Sequence, residues 1–161
     1  MINFPLEQIN KRSPYEITVS GGGLLFETEN GVKYRVNFTE EFAIGGCDTY
    51  QFMFSKLTKE HTSFDNNISK ALVVIIEEFF RSNHNVLLYI CDTSDKREAS
   101  RNRLFAHWFR KFAEDGEYEF RYASSHVEDE EFYAAIIVER SNPMLNEILV
   151  DFEQSAKELN K

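Results

Sequence analysis

Cysteine is almost absent from this chain: Cys47 and Cys91 are the only two, far apart, with no C-x-x-C pair. That excludes a disulfide framework and the common zinc-ribbon spacing, and it fits free thiols in a reducing cytoplasm. The four histidines (His61, His84, His107, His126) are scattered with no H-E-x-x-H motif, so no metal site is expected. Long apolar runs are missing too. The longest clean one, Ala71 to Ile76, is followed at once by Glu77 and Glu78, far too short to span a bilayer. The opening MINFPLEQINKRSP lacks a basic segment followed by an apolar one, so no signal peptide is expected. Glycine-rich phosphate loops are likewise missing. Ser20-Gly21-Gly22-Gly23 lies between strands rather than opening a helix, and no Lys-Ser/Thr follows it.

What is present is a core. Hydrophobic residues make up 42% of the 161, with fifteen Phe and seven Tyr, enough for one aromatic-rich domain and too much for disorder. The net charge of −9 argues against nonspecific nucleic acid binding.

Residues 1–14 are polar, contain Pro5 and Pro14, and read as a lightly tied N-terminal arm. Residues 15–161 read as a single α+β domain. Tyr15–Val19 and Leu24–Thr28 are predicted strands, and Asn30-Gly31 signals a type I′ hairpin. Val32, Tyr34, Val36 and Phe38 then alternate with polar residues, the period of a strand with one packed face. Gly45-Gly46-Cys47-Asp48 is the next turn, and Tyr50, Phe52 and Phe54 alternate again. Asn67–Ser82 has the apolar spacing of a largely buried helix, and Val86–Cys91 that of a strand covered on both faces. A second helix is expected near Asp95–Ala113, with Asp95 and Glu98 as its capping box. Tyr118–Tyr122 and Phe132–Val138 form a closing hairpin around the acidic turn 128–131. Asn142-Pro143 opens a last amphipathic helix in the favoured cap-then-proline order. The expected fold is a mostly antiparallel sheet of about seven strands with three helices, in the order β-β-β-β-α-β-α-β-β-α.

The richest stretch is Cys91–Phe112, which holds six of the eighteen Lys and Arg in an otherwise acidic chain. On a helical wheel Arg97 and Arg101 share a face with Leu104, Phe105 and Trp108, pointing back over the strand end where Asp92 and Asp95 stand. Asp92, Asp95, Arg97 and Arg101 are therefore the candidate binding residues, suited to a carboxylate or phosphate held by the arginine fork. The bland alternative is a closed ion-pair network that fixes the helix start. Lys96, Arg103, His107 and Arg110 fall on the opposite, solvated face. Outside residues 96–111, which hold six basic and one acidic residue, the chain carries a net charge near −14, which disfavours nucleic acid there.

The element order resembles the core of the GCN5-related N-acetyltransferases. That family's diagnostic feature is a glycine-containing turn after the fourth strand, which holds the coenzyme A pyrophosphate. Here the matching segment, Leu57-Thr-Lys-Glu-His-Thr-Ser-Phe-Asp-Asn-Asn67, has no glycine. Asn102, at the place of a family asparagine, is followed by Phe105 and Phe109, with no hydroxyl to protonate a thiolate. Separately, Cys91, Asp92, Thr93, Asp95, Arg97, Arg101, Arg103, Leu104, Phe105, Trp108 and Phe109 resemble the pattern of an uncharacterised bacterial family, which transfers no activity. The sequence thus points to a non-enzymatic interaction or regulatory domain on an acetyltransferase-like scaffold. Its partner would be a protein or small anionic ligand, with no cofactor, no catalytic residue and no membrane. A divergent acyl-CoA-dependent N-acyltransferase using residues 58–67 and a nucleic-acid-binding module are the alternatives.

Overall fold

The computed structural model describes residues 4–58, 66–92, 107, 116–127 and 130–159. Seven strands form one sheet in the order β1-β2-β3-β4-β5-β7-β6, and the class is α+β, as expected. The strands are β1 Thr18–Ser20, β2 Gly23–Glu27, β3 Lys33–Ile44, β4 Cys47–Lys56, β5 Val86–Asp92, β6 Tyr118–Val127 and β7 Glu130–Glu139. Helices α1 Leu6–Arg12, α2 Asn66–Ser82 and α3 Leu145–Leu159 are the three among the described residues. The expected helix near 95–113 lies outside them, apart from His107, which is helical and exposed. The chain divides into two compact units, residues 1–39 with 52–84, and residues 40–51 with 85–161.

In the first unit the alternation in β2 and β3 sends Leu24, Phe26, Tyr34 and Val36 inward, all at most 2% exposed. Aromatic rings carry the packing onward. Phe26 stacks on Tyr34, Tyr34 on Phe54, and Phe38 on Phe79 of α2 at 5.1 Å. Helix α2 buries Ile68, Leu72, Ile75, Ile76 and Phe79, the stripe its sequence spacing predicts. The N-terminal segment is more structured than its polar composition suggests. A seven-residue helix, α1, inserts Ile9, which is fully buried. The Asn10 amide then takes the place of a strand neighbour for Ile17. Its Nδ2 donates to the Ile17 carbonyl at 3.0 Å, and its Oδ1 accepts the Ile17 N–H at 2.7 Å. Two apolar residues, Leu6 and the buried Ile9, are too few in seven to establish a helical period.

The β2–β3 connection departs from the expected two-residue hairpin. The Gly31 N–H bonds the Thr28 carbonyl, and the Thr28 N–H bonds the Val32 carbonyl, so Glu29 and Asn30 are the central turn residues. Gly31 follows at φ +81°, the longer-loop solution with a left-handed residue after the turn. The buried Thr28 hydroxyl also accepts the Val32 N–H at 3.3 Å, which favours this form.

The second unit contains β5, β6, β7, α3 and the hairpin tip Gly45-Gly46. Ile44, Cys47, Val86, Leu88, Ile136, Val138, Ile148 and Phe152 form its core cluster. Asn142 is buried and serves the start of α3: its Oδ1 accepts the Met144 N–H at 2.9 Å. The turn is tighter than read from sequence, because Cys47 already belongs to β4. Both glycines have positive φ, and Gly45 lies against the backbone of α3. A Cβ on Gly45 would sit 2.5 Å from the Ile148 nitrogen, and its own N–H donates to Asp151 Oδ2 at 2.7 Å.

Gly45→Ala should therefore combine a left-handed backbone cost of about 1 kcal/mol with about 1–3 kcal/mol for displacing α3. Gly31→Ala has a similar φ, but its nearest added contact is Glu27 Oε1 at 3.8 Å. It should lose about 1 kcal/mol only. Urea denaturation of the two variants checks the difference; equal losses would contradict the docked hairpin tip.

Candidate interaction surface

The residues singled out in the sequence are placed unequally. Asp92 is the last residue of β5, opposite Phe132 of β7 in register. Asp95, Arg97 and Arg101 lie outside the described residues, as do most of residues 58–67 and the acidic turn positions 128–129. Cys47 is buried, and its Sγ accepts from Asn142 Nδ2 at 3.8 Å. Among the described residues no three His, Cys, Asp or Glu gather as metal ligands, and no helix is long and apolar enough to cross a membrane.

Two charge clusters stand out among the described residues, one in each unit. In the first unit, Glu78 sits on the buried stripe of α2, three residues after Ile75, and only 3% of its side chain is exposed. Its Oε1 accepts from Arg12 at 3.2 Å and from Arg81 at 3.0 Å, while Arg12 also reaches Glu77 at 2.7 Å. The Glu77 hydrogen bond, foremost, holds the Arg12 pKa above its usual value despite partial burial. The Glu78 carboxylate is enclosed, although Arg12 and Arg81 keep 38% and 64% of their side chains exposed, and the cluster clasps α1 to α2. Sequence reading missed Glu78, although its position on the apolar face of α2 was a usable signal. A shallow groove of about 380 Å³ also lies in this unit, bordered by Glu16, Thr18, Leu25, Glu27 and Lys33. Two carboxylates and one ammonium give it no field of a single sign.

The second cluster lies on the last strand of the sheet. Glu119 of β6 accepts from Arg121 at 2.7 Å through Oε2 and from Arg140 at 2.9 Å through Oε1. Arg121 also approaches Glu153 of α3 at 3.9 Å and donates to the Phe120 carbonyl at 3.0 Å. Glu119 keeps 21% of its side chain exposed against 3% for Glu78, so here the carboxylate as well as its arginines stays in reach of water, and the network is the more open of the two.

The backbone of β6 has a definite polarity. It pairs with β7 antiparallel over its whole length, and the Arg140 N–H bonds the Glu117 carbonyl at 3.0 Å. That bond joins directly opposed residues, which marks an odd-numbered β6 position as facing β7. Phe120 and Tyr122 therefore direct their N–H and C=O groups away from β7. Tyr122 is 58% exposed beside Phe120, with ring centroids 6.3 Å apart. An outward-facing edge, an exposed aromatic ring and accessible charges of both signs meet here.

The comparisons bear on this region. A family of unknown function (DUF6169) matches residues 64–154, more than half of the chain. The chain belongs to that family. No curated protein and no solved structure matches it. The DUF6169 segment takes in α2, β5, β6, β7 and most of α3, so it contains Asp92 and the β6 network alike.

Removal of Glu78 should cost about 2 kcal/mol, because a buried charge-assisted hydrogen-bond pair is lost. Removal of Glu119 should cost under about 1 kcal/mol and fade further with added salt. Thermal melts of Glu78→Ala and Glu119→Ala at low and high ionic strength separate the two. Equal salt sensitivity would contradict the contrast between closed and open clusters.

Proposed function

We propose that this chain is a non-enzymatic interaction or regulatory domain on an acetyltransferase-like scaffold in the bacterial cytoplasm. The observation that carries it is the end of the sheet: β6 is the last strand among the described residues, its alternate backbone groups face away from β7, Tyr122 is exposed, and the Glu119–Arg121 pair is partly solvent-accessible. The scaffold reading is supported by the element order, in which four strands, a helix and a strand precede a closing hairpin.

Asp92, Asp95, Arg97 and Arg101 form the second part of the proposal. Asp92 ends β5, and a helix following it would bring Arg97 and Arg101 back over that strand end. Two guanidinium groups beside two carboxylates suit a small anion or an acidic side chain of a protein partner, with the carboxylates orienting the arginine forks. The glycine-free segment 57–67 and the phenylalanines after Asn102 support a scaffold that has parted from acyl transfer.

A thermal-shift comparison of acetyl coenzyme A with inorganic phosphate tests both parts. Ligand bound only by the folded state at a hundredfold excess over Kd adds about 2.7 kcal/mol. Phosphate should raise the melting temperature of the wild type and not of Arg101→Ala, and acetyl coenzyme A should add nothing beyond phosphate. A large shift specific to acetyl coenzyme A would establish an acyl-CoA site instead.

A further inference from the structure

We propose that β6 pairs with β6 of a second copy of this chain, antiparallel and centred on Phe120, to form a symmetric dimer with a continuous sheet. The inference deepens the interaction reading above and rests on it. Phe120 and Tyr122 aim their backbone groups away from β7, as the Arg140–Glu117 hydrogen bond fixes. The Phe120 carbonyl accepts from Arg121 Nη1 at 3.0 Å rather than from β7.

Charge order then selects the occupant. Glu119 and Arg121 flank Phe120 symmetrically in the sequence and carry opposite signs. In an antiparallel pair centred on Phe120, Glu119 stands opposite the partner's Arg121, and Arg121 opposite the partner's Glu119. A two-fold axis through the centre generates both contacts from one. These positions fall in the non-hydrogen-bonded pairs of the new ladder, where facing side chains come closest. Phe120 itself falls in a hydrogen-bonded pair and exchanges two backbone bonds with its copy. Arg121, which folds over the Phe120 carbonyl and Glu119 in the isolated chain, swings to the partner's Glu119 as the strands meet. A chain of unrelated sequence would need a Glu-x-Arg placed in antiparallel register to do the same.

Sedimentation equilibrium of the full chain across a concentration series reads the proposal. The expected result is a reversible dimer, with circular dichroism confirming that every variant stays folded. Arg121→Glu and Glu119→Arg each set like charges opposite one another and should weaken self-association about tenfold or more. Mixing the two variants restores opposite charges across the strand pair and should recover a heterodimer, as should the double exchange within one chain. Phe120→Pro removes an outward N–H without touching the β7 ladder and should also leave monomers. A wild type that stays monomeric at the highest concentration overturns the proposal. So does a dimer indifferent to both charge reversals, or single variants that mixing fails to rescue. None of these measurements involves phosphate or Arg101, so failure here and failure of the anion site are distinguishable.

Discussion

Strand β7 is the constraint on which the second unit depends. It is hydrogen-bonded on both sides, to β5 over Leu87–Asp92 and to β6 along all of β6. A strand so enclosed needs apolar residues on both faces, and Ala135, Ile136, Ile137 and Val138 supply them, each 5% exposed or less. Because the hairpin folds back so that its second arm meets β5, its first arm is pushed to the end of the sheet. The position of β6 is therefore a consequence of where β7 packs, rather than of anything in the β6 sequence. Helix α3 completes the arrangement by laying Ile148 and Phe152 over Ile136 and Val138.

Charge is used in two ways, and burial decides which. Glu78 is desolvated, and a carboxylate in that setting is tolerated only with cationic donors close by. Arg12 and Arg81 provide them, so the clasp between α1 and α2 is a condition for burying that part of the helix. Glu119, Arg121 and Arg140 remain in reach of water, where the pairs contribute little to folding and can exchange partners at little cost. An open network is for that reason better suited to recognition than a closed one.

Much of the fold was legible in the sequence because alternation and helical spacing are strong signals over long segments. Tyr34, Val36 and Phe52 are inward as their period of two requires, and α2 begins one residue from its expected start. What escaped were features set by contacts distant in sequence. Nothing local to Leu6–Arg12 announces that Ile9 will find a core or that Asn10 will pair with Ile17. Asn30-Gly31 looked like a two-residue hairpin, yet the Thr28 hydroxyl and carbonyl drew the turn back by one position. At the candidate sites the pattern is similar. Asp92, expected just past a strand ending at Cys91, is the last residue of β5, whereas the network around Glu119 joins β6 to Arg140 and α3, which no periodicity connects.

The same two side chains that would guard β6 also define what it accepts. Charged residues along an edge strand discourage indiscriminate pairing, since a mismatched neighbour would set like charges opposite one another or strand a charge against apolar groups. Here the guard has a symmetry of its own. Glu-Phe-Arg read along one strand is opposed by Arg-Phe-Glu when the neighbour runs antiparallel, so repulsion toward most sequences becomes attraction toward an identical one. Had the two charges been alike, self-pairing would have been the worst choice, and had they been adjacent, no two-fold register would have matched them. The spacing of two residues puts both on one face of the strand, on either side of a centre whose backbone points outward. Protection against promiscuous association and selection of a specific partner therefore follow from a single arrangement.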